Sequence, residues 1–313
     1  MAAAARLAAR GRPLSQPNPA VGCILVREGS VVGRGWTREG GRPHAEAVAL
    51  DQAGAASRGA TAYVTLEPCA HQSERGPACA DLLAAAGLAR VVVGVEDPDP
   101  RTAGAGIARL RSAGIAAALI HSPEAEASLI GYLTRARHGR PHVTLKLATS
   151  LDGCIATGKG ESQWITGDAA RAHVHSRRAM SDAILVGGGT WRKDQPQLDV
   201  RLPGLADRSP QRVVLTRGVA PDRAKVINAP AQIARLDAQY LYVEAGTDVA
   251  ASFIEQDLVD RLELYRAPIL IGGGWPALGD IGLASLAEAH GRWQCVERRQ
   301  LGSDSYEAYS RTR

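Results

Sequence analysis

His44, Cys69 and Cys79 constrain this chain more than any other feature, because one imidazole and two thiols can serve a single ion only if three separate segments converge. The residues around them suggest how. Pro43 stands where a first helical turn begins, and Ala45, Val48 and Ala49 continue a helical apolar pattern, so His44 can point in from the start of a helix. Residues two apart inside a regular helix diverge by roughly 200°, so Glu46 shares the site only because His44 lies at that start. Cys69 follows Pro68 at the end of a strand-like apolar run. Cys79 comes two residues after Pro77 and opens a helix-like stretch to Ala86. A helix N-terminus favours the thiolate, the form that binds metal.

Zinc is usually tetrahedral, and three protein ligands leave a fourth position for water, which marks a catalytic rather than a structural site. The metal lowers the pKa of that water towards neutrality, and Glu46 can take its proton and pass it to a leaving amine. His-x-Glu followed by Pro-Cys and a later Cys is the pattern of zinc nucleobase deaminases, whose usual form closes with Cys-x-x-Cys. Here nine residues separate the two cysteines. The competing readings are a structural zinc site, which would want a fourth protein ligand and has no use for Glu46, and an accidental grouping of packing residues.

At 313 residues the chain exceeds what one core usually supports, so two domains are expected. The formal charge of +5 suits anionic ligands such as phosphates, but it is spread along the sequence. Before Lys146 there is no lysine, and Trp36, Tyr63 and Tyr132 are the only aromatics there, which argues against a nucleic-acid groove. Five cysteines make an odd number and no disulfide framework, so a reducing cytoplasm is the expected compartment. Two are assigned to metal; Cys23, Cys154 and Cys295 read as small core residues. No apolar run approaches the ~20 residues of a membrane span. The acid-free residues 1–10 resemble a transit peptide but lack its length and serine content, and read as a first helix ending near Gly11.

The first half reads as alternating strands and helices: a hairpin over 23–36, strand 61–66, helix 77–86, strand 90–95, helix 103–113 and strand 115–120. That alternation implies a sheet covered by helices. Asn18, before a proline in a rigid turn, serves either turn chemistry or a hydrogen bond to a pyrimidine edge. Residues 123–137 form an amphipathic helix joining the domains, broken at Gly139-Arg140-Pro141. Beyond it come strand 143–147, helix 168–179, strand 183–186 running into Gly187-Gly188-Gly189-Thr190, and strand 240–243 running into Glu244-Ala245-Gly246-Thr247 and a helix. A strand over 262–270 ends in Gly272-Gly273-Gly274. Two strand–glycine–helix junctions suit a dinucleotide pyrophosphate, although plain tight turns explain either one and the Rossmann fingerprint is absent. Lys146 reads as a catalytic lysine or a surface one, and Trp164 as a core aromatic or a nicotinamide neighbour.

Several stretches closely resemble the bifunctional deaminase/reductase family of riboflavin biosynthesis. They are Met-x-x-Ala-x-x-Leu-Ala-x-x-Gly at 1–11, Pro-Asn-Pro-Ala-Val-Gly-Cys at 17–23, Pro-His-Ala-Glu-Ala at 43–47, Thr-Ala-Tyr-Val-Thr-Leu-Glu-Pro-Cys-Ala-His at 61–71 and Asp-Pro-Asp-Pro at 97–100. The resemblance runs nearly end to end. It implies a cytidine-deaminase-like α/β/α domain over 1–121, a helical linker over 122–140, and a dihydrofolate-reductase-like α/β domain over 141–313. The first would hydrolyse the 2-amino group of a diamino-hydroxy-ribosylaminopyrimidine 5′-phosphate, with Zn2+ on His44, Cys69 and Cys79, proton transfer by Glu46 and base binding by Asn18. The 70–78 loop is one residue longer than the common form, and Ser73-Glu74-Arg75-Gly76 replaces Gly-Arg-Thr-Pro, leaving Arg75 as the candidate phosphate ligand. His71 fits either a loop-packing or a ligand role.

In the second half Lys146-Leu147-Ala148, Ser150-Leu151-Asp152-Gly153, Gly160-Glu161-Ser162-Gln163-Trp164-Ile165-Thr166 and the Gly-Gly-Gly-Thr run resemble the same family's reductase. The resemblance implies that NADPH reduces the ribosylamino group to ribitylamino. Ala148, Trp164, Thr190, Asp194, Gly246 and Thr247 would contact the cofactor. Ser162, Arg178, Leu198, Arg201 and Glu244 would contact substrate, with Arg178 and Arg201 gripping phosphate and Lys146 acting at C1′. A homo-oligomer, dimer or tetramer, is implied as well. Three departures stand out. Only 23 residues lie between Thr216 and Tyr240, where relatives have several dozen, so part of the sheet or its covering helix is expected to be lost or abbreviated. Thr216-Arg217 replaces Asp-Ser, with Arg217 a candidate for a 2′-phosphate, and Asp194-Gln195-Pro196 replaces a double acid before proline. A deaminase with a shortened, inactive reductase half is the alternative reading.

Overall fold

A computed structural model describes residues 1–71, 75–219 and 221–313. The chain divides into two compact units, Met1–Gly139 and Arg140–Arg313.

In the first unit, helix α1 (Ala2–Ala8) precedes the hairpin β1 (Gly22–Arg27) and β2 (Ser30–Trp36), followed by α2 (Ala45–Ala53), β3 (Thr61–Leu66), α3 (Cys79–Ala85), β4 (Arg90–Val95), α4 (Ala105–Ser112), β5 (Ala116–Leu119) and α5 (Pro123–His138). The sheet order is β2-β1-β3-β4-β5. Glu28 and Gly29 both take positive φ, 50° and 76°, as a two-residue type I′ hairpin requires. Strands β3, β4 and β5 are parallel, so each connection must cross over through a helix. Gly35 is what lets α2 press on the sheet: a Cβ there would lie 2.0 Å from the carbonyl oxygen of Ala45. That close approach brings the start of α2, and His44 with it, down to the sheet.

Helix α5 is capped by Ser122, whose hydroxyl accepts from Ala125 N at 3.3 Å, with Glu124 and Glu126 in its first turn and Gly139 in the left-handed region at its end. Its apolar face belongs to the first unit. Ala125, Leu129 and Leu133 are buried in that core, and full burial of each leucine contributes about 2 kcal/mol. The segment read as a linker is therefore a packed layer of the first unit.

The second unit contains β6 (His142–Thr149), β7 (Cys154–Ala156), α6 (Asp168–Arg178), β8 (Ala183–Gly187), α7 (Gly188–Asp194), β9 (Gln211–Leu215), β10 (Lys225–Ile227), β11 (Tyr240–Glu244), α8 (Thr247–Glu255), β12 (Arg261–Arg266), β13 (Trp275–Pro276), β14 (Trp293–Leu301) and β15 (Asp304–Arg311). Its main sheet runs β10-β9-β8-β11-β6-β12-β15-β14. The strands from β10 to β12 are parallel, and β15 and β14 close the edge antiparallel. Alternate residues of the same strands feed two cores: Leu185, Leu241 and Val243 one, Ile184, Val186 and Tyr242 the other.

Two expectations change here and a third is narrowed. The strand expected over 262–270 stops at Arg266. Among the described residues, the short 216–240 region carries strand β10, which follows β9 with no helix between them, and a 3-10 segment, Pro230–Arg235, precedes β11. Cys295 lies exposed on β14 while Cys23 and Cys154 are buried. Among the described residues no helix is long and apolar enough to cross a membrane.

Candidate active sites

His44 is the N-cap of α2, with φ −69° and ψ 162°. Cys79 is the first residue of α3, and Cys69 lies just past the end of β3. His44 Nδ1 is 3.2 Å from Cys79 Sγ and 3.7 Å from Cys69 Sγ, and the backbone N–H of Cys79 donates to Cys69 Sγ at 3.3 Å. The three side chains offer ligand atoms all within 4.8 Å of one another. Zinc bonds of ~2.3 Å to sulfur and ~2.0 Å to nitrogen set tetrahedral donors roughly 3.5 Å apart, so this donor set fits the ion in both chemistry and spacing. The side-chain hydrogen bond between the two thiols lowers the pKa of Cys69 against the effect of burial, and the same bond, together with burial, raises that of Cys79.

Glu46 is buried in the first turn of α2. Burial raises its pKa, the charge of His44 opposes this, and that of Cys69 adds to it. Asn18 Nδ2 lies 3.0 Å from His44 Nε2 and donates to the carbonyl of Gly41 at 3.0 Å. Asn18, His44, Glu46, Cys69 and Arg75 line a cavity of about 290 Å³. Arg75 donates to the carbonyl of Gly40 at 2.5 Å, and His71 Nδ1 is 3.5 Å from the Thr102 hydroxyl. Ser73 and Glu74 of the altered loop lie outside the described residues.

Sequence reasoning missed Glu67. It is buried, and its carboxylate accepts from Gly104 N at 2.9 Å, Ile107 N at 3.0 Å and Asp97 N at 3.3 Å. It thus satisfies the exposed amides at the start of α4. The only local signal was an acid between an apolar strand and Pro68.

In the second unit a cavity of about 1020 Å³ gathers the residues expected of the reductase, Arg217 apart: Lys146, Ala148, Ser162, Trp164, Arg178, Thr190, Asp194, Leu198, Arg201, Glu244, Gly246 and Thr247. The two glycine junctions, β8 to α7 and β11 to α8, lie at the ends of adjacent parallel strands. Gly188 is needed there, because a Cβ would sit 2.6 Å from the Thr216 hydroxyl. Among the described residues none of 216–240 lines the cavity, so Arg217 is not part of its wall. Trp164 is 65% exposed, with the Arg171 guanidinium 5.0 Å from its ring centre, which removes the core-aromatic reading.

Glu244 and Lys146 are register partners on β11 and β6. Arg178 donates to Glu244 through Nε at 2.6 Å and Nη2 at 3.0 Å, and its Nη1 donates to the Asp199 carbonyl at 3.0 Å. Lys146 Nζ lies 3.9 Å from the same carboxylate. The fork of Arg178 is therefore filled, whereas Arg201, with 61% of its side chain exposed, is held only through Nε at 3.6 Å from Asp199 Oδ1. Burial lowers the Lys146 pKa, Glu244 partly restores it, and Arg178 lowers it further. For Glu244 burial works upwards, but Lys146 and Arg178 outweigh it and hold the pKa low.

Residues 141–306 match the RibD C-terminal domain, and residues 1–95 match the zinc-binding region of cytidine and deoxycytidylate deaminases. The riboflavin biosynthesis protein RibD of Escherichia coli K12 is 39% identical over 97% of this chain and 96% of its own length. The chain belongs to the RibD family. The RibD of Mycobacterium tuberculosis H37Rv is also 39% identical, over 92% of this chain and 89% of its own. Acinetobacter baumannii RibD superposes with a TM-score of 0.89 at 34% identity, covering 99% of this chain and 97% of that one. The diaminohydroxyphosphoribosylaminopyrimidine deaminase/5-amino-6-(5-phosphoribosylamino)uracil reductase of Thermotoga maritima does so with 0.88 at 30%, with the same coverage. RibD relatives align over nearly their full length, so the short 216–240 region lies within a full-length RibD C-terminal domain.

Proposed function

We propose that this chain carries out two successive steps of riboflavin biosynthesis. They are hydrolytic deamination of 2,5-diamino-6-ribosylamino-4(3H)-pyrimidinone 5′-phosphate and NADPH-dependent reduction of its ribosyl side chain to ribityl. The observation that carries this reading is the meeting of His44, Cys69 and Cys79 beside buried Glu46, on a chain that aligns with RibD from end to end. Deamination is assigned to 1–121 with helix α5 packed on it, 122–140 connects, and reduction is assigned to 141–313.

His44, Cys69 and Cys79 would hold zinc, which when bound supplies a water activated at neutral pH. Glu46 takes the proton of the attacking water at a carboxylate oxygen and delivers it to the leaving amino nitrogen. Its burial favours the protonated state that the second transfer needs. Asn18, whose side chain lies 3.0 Å from His44 Nε2, binds the pyrimidine edge through its amide. Ala148, Trp164, Thr190, Asp194, Gly246 and Thr247 would hold NADPH, which when bound supplies the hydride for C1′. Arg201 takes the substrate phosphate. Glu244, oriented by Arg178, accepts from ribose hydroxyls, and Ser162 and Leu198 complete that wall. Lys146 polarises the C1′ centre and gives its proton to the nitrogen attached there.

Zinc-loaded protein should release ammonia from the diaminopyrimidine nucleotide and then oxidise NADPH in the same vessel. Ammonia release without NADPH oxidation would leave the deaminase-only reading standing, and neither would sink both. We place the protein in the cytoplasm as a homo-oligomer, dimer or tetramer, whose size sedimentation would read.

A further inference from the structure

The first unit's cavity has a wall that neither the metal nor Glu46 explains. Asp97, buried after β4, and Tyr132, on α5, both line it. The Tyr132 hydroxyl donates to Asp97 Oδ1 at 2.6 Å, and the backbone N–H of Asp99 donates to the same oxygen at 3.0 Å. Asp97 N is itself tied to Glu67 at 3.3 Å. Oδ1 is thus saturated from two sides, while Oδ2 has no hydrogen-bond partner among the described residues. The neighbouring carboxylate, Asp99, is spent on Arg101, whose Nε lies 3.0 Å from each of its oxygens. Asp97 lines the cavity, so the oxygen that no protein donor occupies is free to accept from a ligand bound there.

Resting on the deaminase reading above, we infer that Tyr132 is a positioning residue of the deamination site. Its hydroxyl fixes the Asp97 carboxylate so that Oδ2 faces the bound pyrimidine nucleotide and accepts a hydrogen bond from it. Helix α5 thereby becomes part of the substrate site. A phenylalanine in place of Tyr132 would fill the same space and leave the carboxylate free to turn. Asp97 faces Tyr132 from α5, Glu67 from the end of β3, and Asp99 and Arg101 from its own loop. Tyr132 is the hydrogen-bond donor contributed from outside that loop.

The test uses the full chain loaded with zinc. Tyr132→Phe should raise the deamination KM about five- to tenfold, the scale of one lost hydrogen bond, with kcat falling less than KM rises and zinc content unchanged. Asp97→Asn should raise KM at least as much, and the double variant should be no worse than Asp97→Asn alone, because both act through one oxygen. A wild-type KM in Tyr132→Phe, or two effects that simply multiply, overturns the inference. Should Tyr132→Phe be recovered without zinc, Asp97→Asn decides: a raised KM at full zinc content upholds the assignment and a wild-type KM overturns it. Wild-type protein that releases no ammonia would count against the functional reading instead.

Discussion

Both units bury a glutamate at the floor of a cavity, and the two carboxyls are driven in opposite directions. Around Glu46 burial dominates, and the nearby Cys69 charge adds to it, so the carboxyl is biased towards holding a proton. Glu244 is less completely enclosed, with 14% of its side chain exposed, and Arg178 clasps both oxygens while Lys146 stands 3.9 Å away, so the carboxyl is held as an anion. Burial alone suits a group that must carry a proton and release it; burial with two cations suits a fixed acceptor. The same residue type serves two chemistries because its neighbours differ.

The sharpest way to break this contrast is at the first glutamate. Glu46→Gln should cut ammonia release by roughly 10²- to 10⁴-fold with zinc content and NADPH oxidation unchanged; a surviving rate would show that Glu46 is no proton carrier. Chelating the metal should have the same selectivity, silencing deamination and sparing reduction. At the second glutamate the expected loss is of stability as well as activity. Glu244→Gln strands buried Arg178 and Lys146 and should cost about 3 kcal/mol, read as a lower urea midpoint together with lost NADPH turnover. An unchanged midpoint would mean that the cluster is not held by its charges.

Acid should separate the units further. Glu244 has a lowered folded pKa, and so has Asp260, where burial is outweighed by Arg140, His142 and the Val143 N–H and the carboxyl falls to about 2. A depressed folded value means that the stabilisation is complete above the unfolded pKa of ~4 and is lost as pH falls towards 2. For Asp260 this is about 2 kcal/mol. Urea unfolding at stepped pH should show that loss and show it diminished in Asp260→Asn. Glu46, with a raised folded value, contributes with the opposite sign. The smallest effect is expected at Gly188→Ala, where the new methyl meets the Thr216 side chain. The KM for NADPH should rise a few-fold while deamination stays as it was.

The metal site was legible because its residues sit at chain landmarks: a proline before a helix, the end of an apolar strand and the start of another helix. Of the reductase cavity only the two glycine junctions were legible in the residues themselves; the rest came through family resemblance. Arg178 and Glu244 are 66 positions apart, and no local pattern announces that one neutralises the other, so sequence reading sent Arg178 to the phosphate. The hairpin of β14 and β15 escaped because β14 is largely exposed on both faces and its charged sequence carries no alternating apolar signal. Tyr132 escaped for a related reason. Its partner lies 35 positions away, across a helix whose pattern shows an apolar face without showing which core it joins.

Glu67 has one more consequence. The residue two places before Cys69 is also the one that pins the backbone of Asp97 and the head of α4. The loop of the substrate's acceptor is thus tied, through one side chain, to the segment that carries an ion's ligand two positions on, so a mutation at this position should disturb both. Affinity for the metal and grip on the nucleotide should drift in tandem.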